Sequence, residues 1–206
     1  DGETGLTPYV WRDHDTKLRS ALVQLTQDGA QSRLLVAIGT SCSGKTRALY
    51  EAIRAVIPHW NVVAPKDANQ LCLALENGIP RNTIIWLDEL QDRLTLVESG
   101  ARAARYLMEL LNAEEEEARP ILVAATTWPD NLAELRQRPG PSAAAVGAGA
   151  VAAALEHAEI VQIRPAFIAR ELGVAKSSPD SRMRTAANTA IEIRSTESTW
   201  KLTQVL

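Results

Sequence analysis

The chain has 206 residues, which is the length of one globular domain or of one domain plus part of a second. Its formal net charge is -3 and its isoelectric point is near 5.7. The fractions of hydrophobic residues, 46%, and of charged residues, 23%, are ordinary for a globular protein. This balance disfavours a strongly basic nucleic-acid-binding protein, although it leaves room for a local basic face. Its two cysteines, Cys42 and Cys72, exclude a disulfide scaffold and favour a reducing cytosol, and the longest apolar run, residues 143–155, is too short to span a bilayer.

The first predicted elements are a helix, a strand and a second helix. Residues 14–27 repeat leucines at helical spacing, and we expect Gly29 to cap the end of this helix. Residues 33–38 form a continuous apolar run, which is typical of a strand buried on both faces. A Gly/Ser-rich turn follows, and residues 45–57 then predict a helix that Pro58 ends.

The strand–helix unit then repeats along the chain. Asp67 and Gly78 are the predicted N-cap and stop signal of the helix after the second strand. We expect the acidic run 114–117 to be a solvated helix end, residues 138–142 to be a loop, and the chain after Pro165 to be helical. The remaining predictions are strands at 60–64, 83–88, 120–126 and 159–163 and helices at 67–77, 93–112, 129–138 and 143–157. Strands that alternate with helices five times predict a parallel α/β sheet with helices on both faces.

The first strand-to-helix turn carries a complete phosphate-binding motif. It reads GTSCSGKT and matches G-x-x-x-x-G-K-[ST] in full. Gly39 and Gly44 permit tight backbone conformations, so that N–H groups cradle anionic oxygens at the helix N-terminus. Lys45 is predicted to contact the β- and γ-phosphates, and Thr46 is predicted to bind Mg²⁺. The predicted nucleotide-binding residues of this loop are Gly39, Thr40, Ser41, Cys42, Ser43, Gly44, Lys45, Thr46 and Arg47.

Acidic and hydroxyl side chains follow two other predicted strands. Asp88 and Glu89 end the apolar run IIWL, as in a Walker B motif. We expect Asp88 to lie opposite Thr46 and hold Mg²⁺, directly or through water, and Glu89 to polarise the attacking water. Thr126 and Thr127 end the fourth strand, where either hydroxyl is a candidate sensor of the γ-phosphate or the water, ordinary turn hydrogen bonds being the alternative. The predicted catalytic residues are Lys45, Glu89, Thr126 and Thr127.

These motifs resemble those of AAA+-like and STAND-type NTPases, the regulatory ATPases of bacterial signalling and defence proteins. Large multidomain actinobacterial ATPases carry a GxSxSGKTRALYE-like loop, which here reads GTSCSGKTRALYE. The resemblance covers about residues 8–170. It implies a P-loop NTPase three-layer α/β sandwich with a five-stranded parallel sheet in the order 5-1-4-3-2 and the start of a helical lid. It also implies an adenine-side segment and helix at 1–30, a nucleotide-binding core at 31–164 and an incomplete lid at 165–206.

Two segments differ from the pattern of that group. Its members often begin with an hhGRExE-like box, and residues 9–15 here read YVWRDHD, with Trp11 in place of the usual glycine. The resemblance implies that Val10 and Arg12 line the base or phosphate side of the nucleotide. The alternative is a strand-like entry with Arg12 in a surface ion pair. Many STAND proteins carry an arginine after the fourth strand, where this chain has Trp128.

The resemblance implies an ATP-binding and ATP-hydrolysing, nucleotide-gated switch with ATP and Mg²⁺ as cofactors, in a larger cytoplasmic protein. Because the chain begins at Asp1 and ends in KLTQVL, we expect it to be a piece of that protein. The expected partners are ATP or ADP, other domains of the parent chain and a nucleotide-dependent homo-oligomer, with no membrane and no nucleic acid for this piece. The alternatives are a nucleotide-binding module without turnover and an AAA+ DNA loader or motor. Glu89 disfavours a small-molecule kinase.

Overall fold

The computed structural model describes residues 6–94, 98–113, 120–137 and 143–194. The acidic run at 114–117 and the predicted loop at 138–142 lie outside these ranges. The strands are β1 (Arg33–Ile38), β2 (Asn61–Val63), β3 (Thr83–Leu87), β4 (Ile121–Thr127) and β5 (Ala158–Gln162). The helices are α1 (Asp13–Gln24), α2 (Lys45–Val56), α3 (Ala68–Glu76), α4 (Gln91–Leu94), α5 (Ser99–Leu111), α6 (Pro129–Leu135), α7 (Ala143–Glu156), α8 (Ala169–Lys176) and α9 (Ser181–Arg194).

The five strands form one parallel sheet in the order β2-β3-β4-β1-β5. The predicted order 5-1-4-3-2 is the same order from the opposite edge, so the predicted fold class is confirmed. Strand β4 lies between β3 and β1, and it is buried at every position. This arrangement brings the carboxyl ends of β1, β3 and β4 side by side at one edge of the sheet.

Each face of the sheet carries its own hydrophobic core, because successive side chains of a strand point to opposite faces. Leu34 and Val36 of β1 belong to one core, which includes residues of α3, α5, α6 and α7. Leu35 and Ala37 belong to the other core, which α1 and α2 cover. Strand β1 is therefore buried on both faces, as its continuous apolar run predicts.

The last two helices pack on each other and on the beginning of the chain. Leu172 of α8 lies against Ala186 and Ala190 of α9. Val10 joins Ala175 and Met183 in a neighbouring cluster. The N-terminal segment and the C-terminal helices therefore share a small core outside the sheet, while the predicted domain boundaries remain predictions.

Two helix predictions are wrong in their bounds. Helix α1 has Leu25 as its C-cap, and Gly29 lies in a later turn with a φ of 72°. The helix predicted at 93–112 is described as two helices, α4 and α5. Gly100 of α5 approaches the Leu94 carbonyl so closely that a Cβ there would lie 2.5 Å from its oxygen. Residues 94 and 100 would lie much farther apart along the axis of one regular helix, so α4 and α5 are not parts of a single continuous helix.

The predicted limits of α3 are confirmed. The Asp67 carboxylate accepts a hydrogen bond from the Gln70 backbone N–H at 2.8 Å, and Gly78 follows the C-cap with a φ of 77°. Among the described residues, no helix combines the length and the apolar character that crossing a membrane requires.

Candidate functional site

The loop between β1 and α2 depends on its two glycines for different reasons. A Cβ on Gly39 would lie 2.6 Å from the Ser43 Oγ and 2.9 Å from the Ile163 carbonyl oxygen, so no side chain fits there. Gly44 has a φ of 87°, in the left-handed region that glycine adopts without steric cost. The loop therefore has the close backbone approach that the phosphate-binding motif predicts.

Lys45 begins α2 and folds back over the loop. Its side chain is only 7% exposed, and its Nζ donates a hydrogen bond to the Thr40 carbonyl oxygen at 3.2 Å. The same ammonium lies 5.6 Å from the centroid of the Trp128 ring. Ser43 is fully buried, and its Oγ has no hydrogen-bond partner among the described residues. The loop thus holds a cation and an unsatisfied hydroxyl, both of which suit a polyphosphate.

Asp88 joins the phosphate loop to the sheet edge. The Thr46 hydroxyl donates to Asp88 Oδ1 at 3.0 Å, and the Thr126 hydroxyl donates to the same oxygen at 2.7 Å. Thr126 is fully buried, whereas Thr46 is exposed. The two predicted metal-binding side chains therefore meet at the solvent side of the site, with Thr126 beneath them.

Glu89 turns sharply away from β3, with a φ of 55°. Its backbone N–H donates to the Thr126 Oγ1 at 3.1 Å. Its carboxylate accepts a hydrogen bond on Oε2 from Gln91 Nε2 at 2.7 Å and one on Oε1 from Trp128 Nε1 at 3.3 Å. The Thr127 hydroxyl donates to Gln91 Oε1 at 2.8 Å. The predicted catalytic carboxylate is therefore held from two sides.

The two candidate sensor threonines support the acidic residues in different ways. Both are fully buried, and Thr126 contacts Asp88 directly, whereas Thr127 reaches Glu89 through Gln91. Direct contact of either hydroxyl with a γ-phosphate stays a prediction. The sequence analysis missed Gln91 and Trp128, although both follow strand ends at the edge where the predicted site lies.

Arg12 connects the loop with the segment after β5. Its side chain donates to the Ser43 carbonyl oxygen at 3.1 Å and to the Arg164 carbonyl oxygen at 3.0 Å, and it stacks 4.8 Å from the centroid of the Phe167 ring. Arg12 is only 5% exposed. The alternative that Arg12 forms a surface ion pair is therefore wrong, and its segment forms no strand. Val10, by contrast, lies in the core of the C-terminal helices.

The other predicted loop residues have different environments. Arg47 forms an ion pair with Glu51 at 2.6 Å and donates to the Thr7 carbonyl oxygen at 2.9 Å, so it faces the N-terminal segment. Ser41 and Cys42 are exposed at the tip, and Cys42 has a φ of 54°. Their contact with a nucleotide stays a prediction.

A buried group of ionisable side chains lies at the start of α1. Burial, together with the positive charges of Arg12 and Arg164, lowers the pKa of His14 to about 4. Burial also raises the pKa of Asp15, against the opposing effect of hydrogen bonds from the Arg12 backbone and from the Tyr9 hydroxyl. His14 is therefore neutral near pH 7.

The donor set fits Mg²⁺ bound together with a nucleotide. In the described ranges, no group of three His, Cys, Asp or Glu side chains is arranged to hold a metal ion. Mg²⁺ is usually held by one or two protein oxygens, with phosphate and water oxygens at the remaining positions. Thr46 and Asp88 supply the protein oxygens next to a loop shaped for phosphates.

No family model matches the sequence, and no curated protein matches it. Among solved structures, the crystal structure of a DNA replication initiation factor has a TM-score of 0.50 and 14% identity. That match covers 96% of this chain and 60% of the other one. Domain III of the Thermotoga maritima replication initiation protein DnaA has a TM-score of 0.41 and 11% identity, over 96% of this chain and 91% of that one. The chain therefore shares the α/β fold of the first of these structures, and it spans about three fifths of that structure's length.

Proposed function

We propose that this chain is an ATP-binding and ATP-hydrolysing switch domain of the STAND or AAA+-like type within a larger protein. The observation that carries this proposal is the 3.0 Å hydrogen bond between Thr46 and Asp88. These residues lie in different motifs, yet they meet beside a loop whose shape requires Gly39 and Gly44. A polyphosphate with its metal ion is the ligand that such a pair suits.

Each side chain of the site has a distinct task in this proposal. Lys45 binds the β- and γ-phosphates, while Thr46 and Asp88 hold Mg²⁺, which when bound neutralises charge on the phosphate oxygens. Glu89 orients the attacking water and accepts its proton. Thr126 keeps Asp88 in place. Gain or loss of the γ-phosphate then changes how the loop contacts Arg12, and through it the C-terminal helices.

Substitution of Lys45 tests the phosphate site. We expect Lys45→Ala to abolish measurable binding of MgATP in a calorimetric titration, because the loop loses its only lysine charge and the phosphates lose a charge-assisted contact. Lys66→Ala, which removes an exposed lysine before α3, is the matched control and should bind like the parent chain. Equal affinity of the parent and of Lys45→Ala would mean that the phosphate site is wrongly assigned.

Substitution of Glu89 separates a hydrolase from a passive binding module. We expect Glu89→Gln to bind MgATP while phosphate release stops, because an amide does not accept the proton of the water. Glu134→Gln, on the exposed side of α6, is the control. If the parent binds ATP and the Glu89 change alters nothing, the chain is a nucleotide-binding module without turnover.

A role in DNA transactions is the second candidate function. It is favoured by the fold likeness to a DNA replication initiation factor, whereas the net charge of -3 argues against it. Retention of the chain on DNA that weakens as salt rises, and that depends on ATP, would support it. Other domains of the parent protein and nucleotide-dependent self-association are the partners that we propose for the switch.

A further inference from the structure

Trp128 has a backbone position that is fixed from both sides. It follows the last residue of β4 and is the N-cap of α6, with φ -93° and ψ 153°. Pro129 restricts the residue before it to such extended conformations. The Trp128 carbonyl oxygen accepts the first α6 hydrogen bond, from the Leu132 N–H at 2.9 Å. The indole therefore projects from a rigid strand–helix junction.

The indole contacts two residues of the site with different parts of its ring system. Its face lies 5.6 Å from the Lys45 ammonium, within the range of a cation–π interaction. Its N–H donates to Glu89 Oε1 at 3.3 Å. Trp128 is 41% exposed, so these contacts lie at the solvent side of the site. The indole therefore contacts both Lys45 and Glu89.

The Glu89 carboxylate is held by two neutral donors from different elements. Gln91 donates to Oε2 at 2.7 Å, and Trp128 donates to Oε1. Two donors fix the plane of the carboxylate and leave lone pairs on both oxygens for a water molecule. Removal of either donor leaves only one hydrogen bond on the carboxylate, so its plane can rotate more and it orients a water molecule less exactly.

We propose that Trp128 is a positioning residue that links occupancy of the phosphate loop to the orientation of Glu89. The ring face is next to the cation that a γ-phosphate approaches, and the ring N–H holds the carboxylate that acts on the attacking water. An indole carries no formal charge, so Trp128 acts through the position of its ring face and the direction of its N–H. The proposal rests on the proposed ATPase function and names a further residue of that site.

Tryptophan fluorescence tests the contact without turnover. We expect MgATP to change the emission of Glu89→Gln more than MgADP does, because only ATP brings a γ-phosphate to Lys45. Adding Trp128→Phe should remove this difference while a fluorescent ATP analogue still binds with a Kd within about twofold of the parent value. Trp60→Phe is the matched control, since Trp60 lines an apolar groove with Tyr50 and Trp86 on the α2 side of the sheet.

Steady-state kinetics tests the positioning role. Trp128→Phe keeps an aromatic ring near Lys45 but loses the N–H, so we expect kcat to fall about tenfold, the effect of one lost hydrogen bond to a charged group, with KM nearly unchanged. Gln91→Leu should show the same split between kcat and KM. Trp60→Phe should leave both constants at the parent values.

The outcomes separate this inference from the proposed function. If the parent chain does not bind MgATP, the proposed function fails and Trp128 has no such role. If the parent binds ATP and Trp128→Phe keeps the ATP–ADP difference in emission, the positioning role of Trp128 is overturned. A kcat for Trp128→Phe equal to that of a hydrolysing parent overturns it as well.

Discussion

Glu89 adopts a backbone conformation that costs free energy. A non-glycine residue with positive φ is uncommon, and such strain costs about 1–3 kcal/mol. The hydrogen bond from its N–H to Thr126 and the two donors on its carboxylate hold it there. In the described ranges the other such residues are Cys42, in the phosphate loop, and Asn82. Two of these three residues, Glu89 and Cys42, therefore lie where chemistry is proposed.

His14 makes stability depend on pH. Its pKa falls from 6.5 to about 4 on folding, because burial disfavours the charged ring. A lowered histidine pKa gives stability that is complete above pH 6.5 and is lost as pH falls towards 4, by at most about 1.4 kcal/mol per pH unit. We expect His14→Asn to remove this loss, and urea unfolding between pH 7 and pH 5 measures it.

The matched control for this pH dependence is His59→Asn, in the exposed turn between α2 and β2. The free energy of unfolding of this variant should change with pH as it does in the parent chain. The raised pKa of Asp15 has the opposite effect on stability, because the folded chain binds the Asp15 proton more tightly than the unfolded chain does. This effect is present in the parent and in both histidine variants. An unchanged slope in His14→Asn would show that His14 is not buried in its neutral form.

The loop between β1 and α2 is the element with the least freedom to vary. Gly39→Ala places a Cβ against Ser43 and against the Ile163 backbone, so we expect about 1–3 kcal/mol of destabilisation and loss of MgATP binding. Gly173→Ala, inside α8, meets no atom within 4 Å and should stabilise the chain by about 0.5–1 kcal/mol. Chemical unfolding and nucleotide titration check both, and equal effects at the two glycines would contradict the packing of the loop.

Elements whose signals are local were predictable from the sequence. The phosphate loop, the acidic end of β3 and the cap of α3 are each specified by a few adjacent residues, and the structure has them at the predicted positions. The end of α1 was not predictable from Gly29, because three-residue turn hydrogen bonds, from the Leu25 N–H to the Leu22 carbonyl and from the Thr26 N–H to the Val23 carbonyl, end the helix earlier. Gln91 and Trp128 were missed because their contacts join residues that are distant in sequence.

At the scale of the whole molecule, Arg12 joins three parts of the chain. We expect Arg12→Lys to weaken MgATP binding and to speed amide exchange in α8 and α9, because one ammonium does not reproduce the two hydrogen bonds of the guanidinium. Hydrogen exchange with and without nucleotide measures the effect. Arg19→Lys, at an exposed arginine that stacks on Trp11, should change stability by no more than about 0.5 kcal/mol. If both variants exchanged alike, Arg12 would carry no such connection.

The Arg12 guanidinium donates hydrogen bonds to both the Ser43 and the Arg164 carbonyl oxygens, and this has a thermodynamic consequence. Any ligand that favours one arrangement of the loop through Arg12 stabilises the C-terminal helices by a certain free energy. Linkage requires that stabilising those helices raises the affinity for the ligand by the same amount. A protein that binds and stabilises α8 and α9 would therefore raise the affinity of the nucleotide site. Bound nucleotide would in turn raise the affinity of the chain for that protein.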